Sequence, residues 1–194
     1  MSGKERGEPT GLEVAVIGMA GRFPGASNHH QFWNNLIKGI ESITFFTDAE
    51  LEEAGVEKAL LTNPNYVKAK GIIDSPEYFD ASFFGLSPRD AQMLDPQIRI
   101  FYECVWEAME DAGYDPLTYQ GLIGLYAGAG ANYFWEASAL NMDTGDVSET
   151  YAKTQLADKG FMTTRISYQL NLKGPSVFVG TACSTSLVAA HLAC

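Results

Sequence analysis

Residues 177–188 read VFVGTACSTSLV, a short apolar run, a stretch of small residues and then a helix-compatible segment. Such a run followed by Gly180, Thr181 and Ala182 reads as a buried strand that bends sharply into a helix. A strand that runs directly into a helix, met again upstream, is the repeating unit of an α/β layered fold with a largely parallel or mixed core sheet. Cys183 falls in the bend, at the expected N-terminus of the following helix.

Working outward from that bend, Lys159 to Leu170 has helical spacing and runs into the turn Asn171-Leu172-Lys173-Gly174-Pro175. Gly121 to Gly128 (GLIGLYAG) reads as a second buried strand, and Leu12 to Gly18 (LEVAVIG) as a third, central one. Two helix starts are explicit. Ser87-Pro88-Arg89-Asp90 has a capping serine, proline at the first helical position and an acid three residues after the cap. Asp95-Pro96 repeats the device and opens a helix whose Ile98, Phe101, Val105, Met109 and Ala112 recur every three or four positions before Gly113 ends it. His30 to Lys38 predicts a further helix stopped by Gly39, and Asp48 to Leu61 holds a short one. Residues 40–86 otherwise read as irregular surface, and Tyr133 to Asp146 as a loop or short helix near the surface. Residues 1–10 read as a flexible tail or linker end. Ser184 to Cys194 is apolar nearly all round, a pattern that predicts a helix buried on every side.

Composition narrows the function classes. With 24 acidic against 13 basic residues, the net charge is −11, and no cluster of Lys and Arg exceeds Lys68-Ala69-Lys70. Nucleic acid and anionic membrane surfaces are poor partners on that ground. No run of about 18 apolar residues exists, and the first ten residues lack the apolar core of a signal peptide. Three cysteines, Cys104, Cys183 and Cys194, do not make a disulfide framework. A reducing, cytoplasmic setting is the expectation.

The chemistry-bearing candidates are few. A cysteine at a helix N-terminus faces unpaired backbone N–H groups and the positive end of the helix dipole, both of which favour a thiolate over a thiol. The same N–H groups can hold an oxyanion on a thioester carbonyl, and Gly180 and Ala182 leave room for an acyl chain. By contrast, Cys104 lies mid-helix between Phe101 and Val105 and reads as packing or surface filler, and Cys194 as packing. His191 lies eight residues past Cys183, about 12 Å along a helix, too far to be its base, and reads as a core or interface residue. His29 and His30 read as solvated surface. No metal-ligand spacing is present, and no bound metal or cofactor is expected. Gly18-Met19-Ala20-Gly21 and Gly25 follow a strand, but their spacing is wrong for a dinucleotide fingerprint and Pro24 interrupts the helix start.

Thr181-Ala182-Cys183-Ser184-Thr185-Ser186-Leu187-Val188-Ala189 resembles the active-site segment of β-ketoacyl synthase domains in modular polyketide synthases. Other segments resemble that family in the same order. They are Glu13 to Phe23 (EVAVIGMAGRF), Tyr78 to Arg89, Leu94-Asp95-Pro96-Gln97-Ile98-Arg99 with Trp106 to Gly113, and Thr164 to Pro175. The resemblance covers residues 11–194, as the N-terminal part of a ketosynthase domain truncated within the helix after the cysteine. Tyr66 to Gly71 and Asp95 to Arg99 are most similar to bacterial assembly lines with separate acyltransferases.

The resemblance implies a thiolase-like layered α/β/α/β/α fold, of which this chain covers roughly the N-terminal half, in a homodimer. It implies that Cys183 accepts an acyl chain from the phosphopantetheine arm of an acyl carrier protein. Decarboxylative Claisen condensation with a malonyl-type carrier thioester then elongates the chain. Two histidines in later segments assist in the family, so the segment alone is expected to be inactive. A non-elongating ketosynthase that only transfers acyl chains, or a non-catalytic dimerising remnant, is the alternative. Many relatives carry Asp or Gln where this chain has Gly180, the flexible choice at a strained elbow. The isolated chain is expected to expose a large apolar patch and to aggregate or need a complementary chain.

Overall fold

The computed structural model describes residues 10–133, 135–137 and 147–194. Its elements, in chain order, are α1 (His29–Lys38), β1 (Thr44–Phe45), α2 (Asp48–Glu53), α3 (Lys58–Leu61), β2 (Ala69–Lys70), α4 (Pro88–Met93), α5 (Pro96–Asp111), β3 (Leu125–Ala127), α6 (Val147–Ala157), α7 (Met162–Gln169), β4 (Ser176–Phe178) and α8 (Thr185–Ala193). Single 3-10 turns, Lys159–Phe161 and Ala182–Ser184, lead into α7 and α8.

Helix ends follow the local chemistry. The Asn28 side chain caps α1, and Gly39 closes it in the left-handed region at φ 63°. Thr47 and Glu50 form a reciprocal capping box on α2. Ser87 accepts from the Asp90 N–H at the start of α4, with Pro88 at the first turn. Asp95 does the same for α5 through the Gln97 N–H. Gly113 follows α5 at φ 74°. The single helix expected within 48–61 is two, α2 and α3, parted at Gly55, whose φ is 86°.

β3 and β4 pair in parallel, with Leu125 opposite Ser176, Tyr126 opposite Val177 and Ala127 opposite Phe178. Main-chain bonds from Leu125 N to the Pro175 oxygen and from Val179 N to the Ala127 oxygen close the ladder at 2.7 and 2.8 Å. Helix α7 packs against both strands, and α8 against β3. β1 and β2 form a separate antiparallel pair, Thr44 opposite Lys70, in a region the sequence pattern reads as irregular. Helix α6 carries no sequence signal of the kind that marks α4 and α5. Of Tyr133 to Asp146, residues 133 and 135–137 are helical, and 134 and 138–146 lie outside the described residues.

The core is where the helical periods of α5 and α7 meet the sheet. Leu94, Ile98 and Tyr102 stack at four-residue intervals, as do Met162, Ile166 and Leu170, with Phe84 and Ala127 completing the cluster. Each of the larger side chains is worth roughly 1.5–3 kcal/mol when fully buried. Phe84 brings Phe79 with it, their rings stacked at 5.2 Å.

Two expectations of burial are corrected. Leu12 to Gly18 is not a buried strand: Leu12 is 86% exposed and Val16 78%, and the segment has no strand partner among the described residues. Its end is nevertheless fixed. Gly18 lies so close to α5 that an added Cβ would come within 2.4 Å of the Ala108 carbonyl oxygen, and the Met19 N–H donates to Asp111 at 2.8 Å. Close backbone approach to α5, with no phosphate loop, explains that glycine. In α8 only Ala189 is buried, while Leu187 is 74% exposed. An apolar pattern states which side chains gain by being covered, but the cover must come from elsewhere, and here β3 covers one stripe of α8.

Candidate functional site

The bend after β4 is a tight backbone elbow. Thr181 sits at φ −125°, ψ 35°, and Ala182 takes φ 51°, one of three non-glycine residues in the left-handed region among those described. An alanine there costs about 1 kcal/mol or more relative to a relaxed conformation. The sequence points to Gly180 as the flexible position. The structure moves it two residues on: Gly180 is outside the left-handed region, and a Cβ on it would meet only the Phe178 ring at 3.6 Å.

Two hydroxyls that follow the cysteine hold the elbow through backbone groups that precede it. The Thr181 N–H donates to Thr185 Oγ1 at 3.0 Å, and that hydroxyl donates to the Ala182 oxygen at 2.8 Å. Ser184 Oγ donates to the Thr181 oxygen at 2.8 Å, beside the main-chain bond from Ser184 N to the same oxygen. Ser184 and Thr185 therefore belong to the site, although sequence reasoning singles out only the cysteine between strand and helix. Hydroxyl residues directly after a cysteine at a helix start are the available signal.

Cys183 is exposed and is presented at the first turn leading into α8. It lines a cavity of about 850 Å³ between α8 and the strand-and-turn segment Gly124 to Ala131. The remaining lining is Phe101 and small residues of the elbow and of α8, including Gly180, Ser186, Ala189 and Ala193. No charged side chain lines it, so its walls suit a neutral chain better than an ion. Gly128 allows the two walls to meet: a Cβ there would lie 1.9 Å from the Val179 oxygen and 2.4 Å from Thr185 Cγ2.

The other candidates are spread apart. Cys104 is half-buried on α5, and burial pushes its thiol above the usual range despite Arg22 nearby. Arg22 is held by Glu107 and Glu103, tying the turn after residue 18 to α5. Cys194, expected to pack, is exposed just past α8, because no described element lies over that end. His191 is exposed on α8, so the core reading fails for it. The His29 and His30 rings lie 4.0 Å apart, tilted by 44°, in the first turn of α1. Among the described residues no group of three or more His, Cys, Asp or Glu is arranged to hold a metal ion, and no helix is long and apolar enough to cross a membrane.

This arrangement has close counterparts. The family model for the β-ketoacyl synthase N-terminal domain matches residues 12–194. A phenolphthiocerol/phthiocerol polyketide synthase from Mycobacterium tuberculosis is 45% identical over 188 residues, which cover 93% of this chain and 13% of that protein. Polyketide synthase PksN of Bacillus subtilis is 40% identical over 183 residues, covering 93% of this chain and 3% of PksN. Among solved structures, ketosynthase twelve of the bacillaene polyketide synthase from Bacillus amyloliquefaciens superposes with a TM-score of 0.80 at 40% identity, covering 90% of this chain and 30% of that one. The module 6 ketosynthase of the bacillaene synthase from Bacillus subtilis 168 gives 0.71 at 34% identity, covering 92% and 28%. The chain thus spans under a third of these solved ketosynthases, and its fold is the corresponding portion of their thiolase-like architecture.

Proposed function

We infer the chemistry of the elbow from what the chain is: it belongs to the β-ketoacyl synthase family, within that family's N-terminal domain. We propose that Cys183 is the acyl acceptor of a polyketide ketosynthase, and that this segment supplies the nucleophile half of its site. The single observation that carries the reading is the exposed cysteine at a left-handed elbow, at the entrance of a helix and on the wall of an uncharged cavity.

The first half-reaction follows from that placement. The Cys183 thiolate attacks the carbonyl carbon of an acyl thioester presented on the phosphopantetheine arm of an acyl carrier protein. The positive end of the α8 dipole, just beyond the sulfur, stabilises the tetrahedral oxyanion. Collapse expels the carrier's thiol, which takes up a proton, and leaves the acyl group on sulfur. The strained elbow fixes the sulfur in the attacking position without a long side chain to order.

The second half-reaction is carbon–carbon bond formation. A malonyl-type carrier thioester loses carbon dioxide, and the enolate attacks the acyl carbon on Cys183. The sulfur leaves as thiolate and the extended β-ketoacyl chain stays on the carrier. The two histidines that the family brings to this step lie outside the present segment, so we assign it no condensing activity by itself. The complete enzyme is proposed to act as a homodimer in the cytoplasm.

The test is acylation of the full-length ketosynthase containing this sequence. Incubation with an acyl-carrier thioester should add one acyl mass to the peptide carrying Cys183, and Cys183→Ala should abolish it. Supplying malonyl-carrier thioester should then release the extended chain. An acyl adduct that forms but is never extended would assign simple acyl transfer. Absence of any adduct on Cys183 would overturn the reading.

A further inference from the structure

The segment Leu94-Asp95-Pro96-Gln97-Ile98-Arg99 starts α5, but its polar side chains do more. The cavity wall opposite α8 is the run Gly128-Ala129-Gly130-Ala131, which has no side chain long enough to anchor itself. Its upstream end is held by β3 and by the contact of Gly128 with the elbow, and the rest by what grips its backbone and its downstream end.

Three alternate residues of the segment do the gripping. Gln97 Nε2 donates to the Gly130 carbonyl oxygen at 3.2 Å and lies 3.3 Å from Asp95 Oδ2. Asp95, only 1% exposed, accepts from Asn132 Nδ2 at 3.2 Å, immediately past the wall. The Arg99 guanidinium lies 5.4 Å from the centre of the Trp135 ring, and the indole N–H of Trp135 donates to the Met93 oxygen at 3.4 Å. The buried Asp95 charge is balanced by Lys159 at 3.4 Å, itself 2.7 Å from Glu136 in the same downstream segment.

We propose that Gln97, seated on Asp95, is a positioning residue that sets the depth of the acyl cavity facing Cys183 by holding the Gly130 carbonyl. Its single amide group bridges two acceptors, the Asp95 carboxylate and the Gly130 carbonyl, so only a donor at this position serves both. Release of that bond frees the backbone at Gly130 to move into or away from the cavity. The consequence is a change in how long acyl chains are seated, with little effect on a small reagent that reaches the sulfur from outside. This inference rests on Cys183 being the acyl acceptor.

The experiment uses the full-length ketosynthase and its Gln97→Ala and Gln97→Glu variants, with Cys183 acylation measured for thioesters of two to twelve carbons. Thermal midpoints and the rate of Cys183 alkylation by iodoacetamide are measured beside them. Gln97→Ala is expected to raise KM for the long thioesters by roughly five- to tenfold, the factor that one or two neutral hydrogen bonds are worth. Acetyl transfer and alkylation should stay within about twofold, the range of a change that leaves the sulfur alone. Gln97→Glu, which fills the same space but turns an acceptor toward two acceptors, should be worse than Gln97→Ala. A side chain that merely fills space would give the opposite order. The proposal is overturned if both variants keep the wild-type chain-length profile, or if all lengths and the alkylation rate fall in parallel. A wild-type enzyme that never acylates Cys183 would instead defeat the proposed function, and this inference with it.

Discussion

Gly128 and Thr185 stand closer than any side chain at residue 128 could allow: a Cβ built on the glycine falls 2.4 Å from Thr185 Cγ2 and 1.9 Å from the Val179 carbonyl oxygen. The end of β3 is therefore pressed directly against the elbow that carries Cys183. Gly128→Ala has to push the two walls apart, at a cost of about 1–3 kcal/mol for overpacking, and should lower both the thermal midpoint and the rate of Cys183 acylation. Gly180→Ala is the matched control, since its Cβ meets only the Phe178 ring at an ordinary 3.6 Å. It should change stability by less than about 0.5 kcal/mol. Calorimetry of the two variants in the full-length protein decides it, and equal effects would contradict the geometry.

Ala182 bears the backbone strain of the elbow at φ 51°. Ala182→Gly removes the Cβ clash and should stabilise by about 0.5–1 kcal/mol, while the looser turn slows acylation. Ala182→Val, with a branched side chain in the left-handed region, should cost more than 1 kcal/mol, roughly the range for strained positions. Denaturant unfolding paired with single-turnover acylation reads both. Faster acylation in the glycine variant would show that strain is not used to hold the sulfur.

Tyr102 is fully buried between α5 and α7, and its hydroxyl has no hydrogen-bond partner among the described residues. Burial pushes its phenol up to about 12. Removing an unpaired buried hydroxyl relieves a desolvation cost on the order of 1–3 kcal/mol, so Tyr102→Phe should leave stability unchanged or raise it. A fall of more than about 1 kcal/mol, the size of a lost hydrogen bond, would reveal a partner for that oxygen.

Glu136 titrates in the acid range with a defined sign. The hydrogen bond from Lys159, and then that from the Asn132 N–H, hold its carboxyl below the usual value. A carboxyl depressed in the folded state contributes stability that is fully present above its unfolded value, near ~4.3, and is lost as pH falls through the folded one. Thermal midpoints of wild type and Glu136→Gln should therefore differ at neutral pH and converge as the pH is lowered below the unfolded value of the carboxyl and through its depressed folded one. A difference that grows toward acid would reverse the assignment.

Much of this molecule is readable one turn at a time. Ser87 with Asp90, Asp95 with Pro96, and the glycines at 39 and 113 announce the ends of α1, α4 and α5, because capping is settled by residues within about four positions. The run before Gly180 announces β4, and the cysteine after it announces the elbow. The apolar stretches at 12–18 and in α8 are legible as apolar but not as covered or uncovered, since periodicity names no partner. The short β1–β2 pair is invisible because its two-residue strands carry no period to detect.

What the sequence alone determined, then, is the capped helices α1, α4 and α5, the strands β3 and β4, and the position of the one cysteine at a strand-to-helix bend. Only the folded chain decided that Ala182 takes the strain expected at Gly180, that Gly128 must lack a side chain, and that Asp95 meets Lys159 and Asn132. The physical reason is range. Caps and helical periods are energies between near neighbours in the chain, whereas close packing and the pairing of a buried charge join residues tens of positions apart, and exist only once the backbone has brought them together.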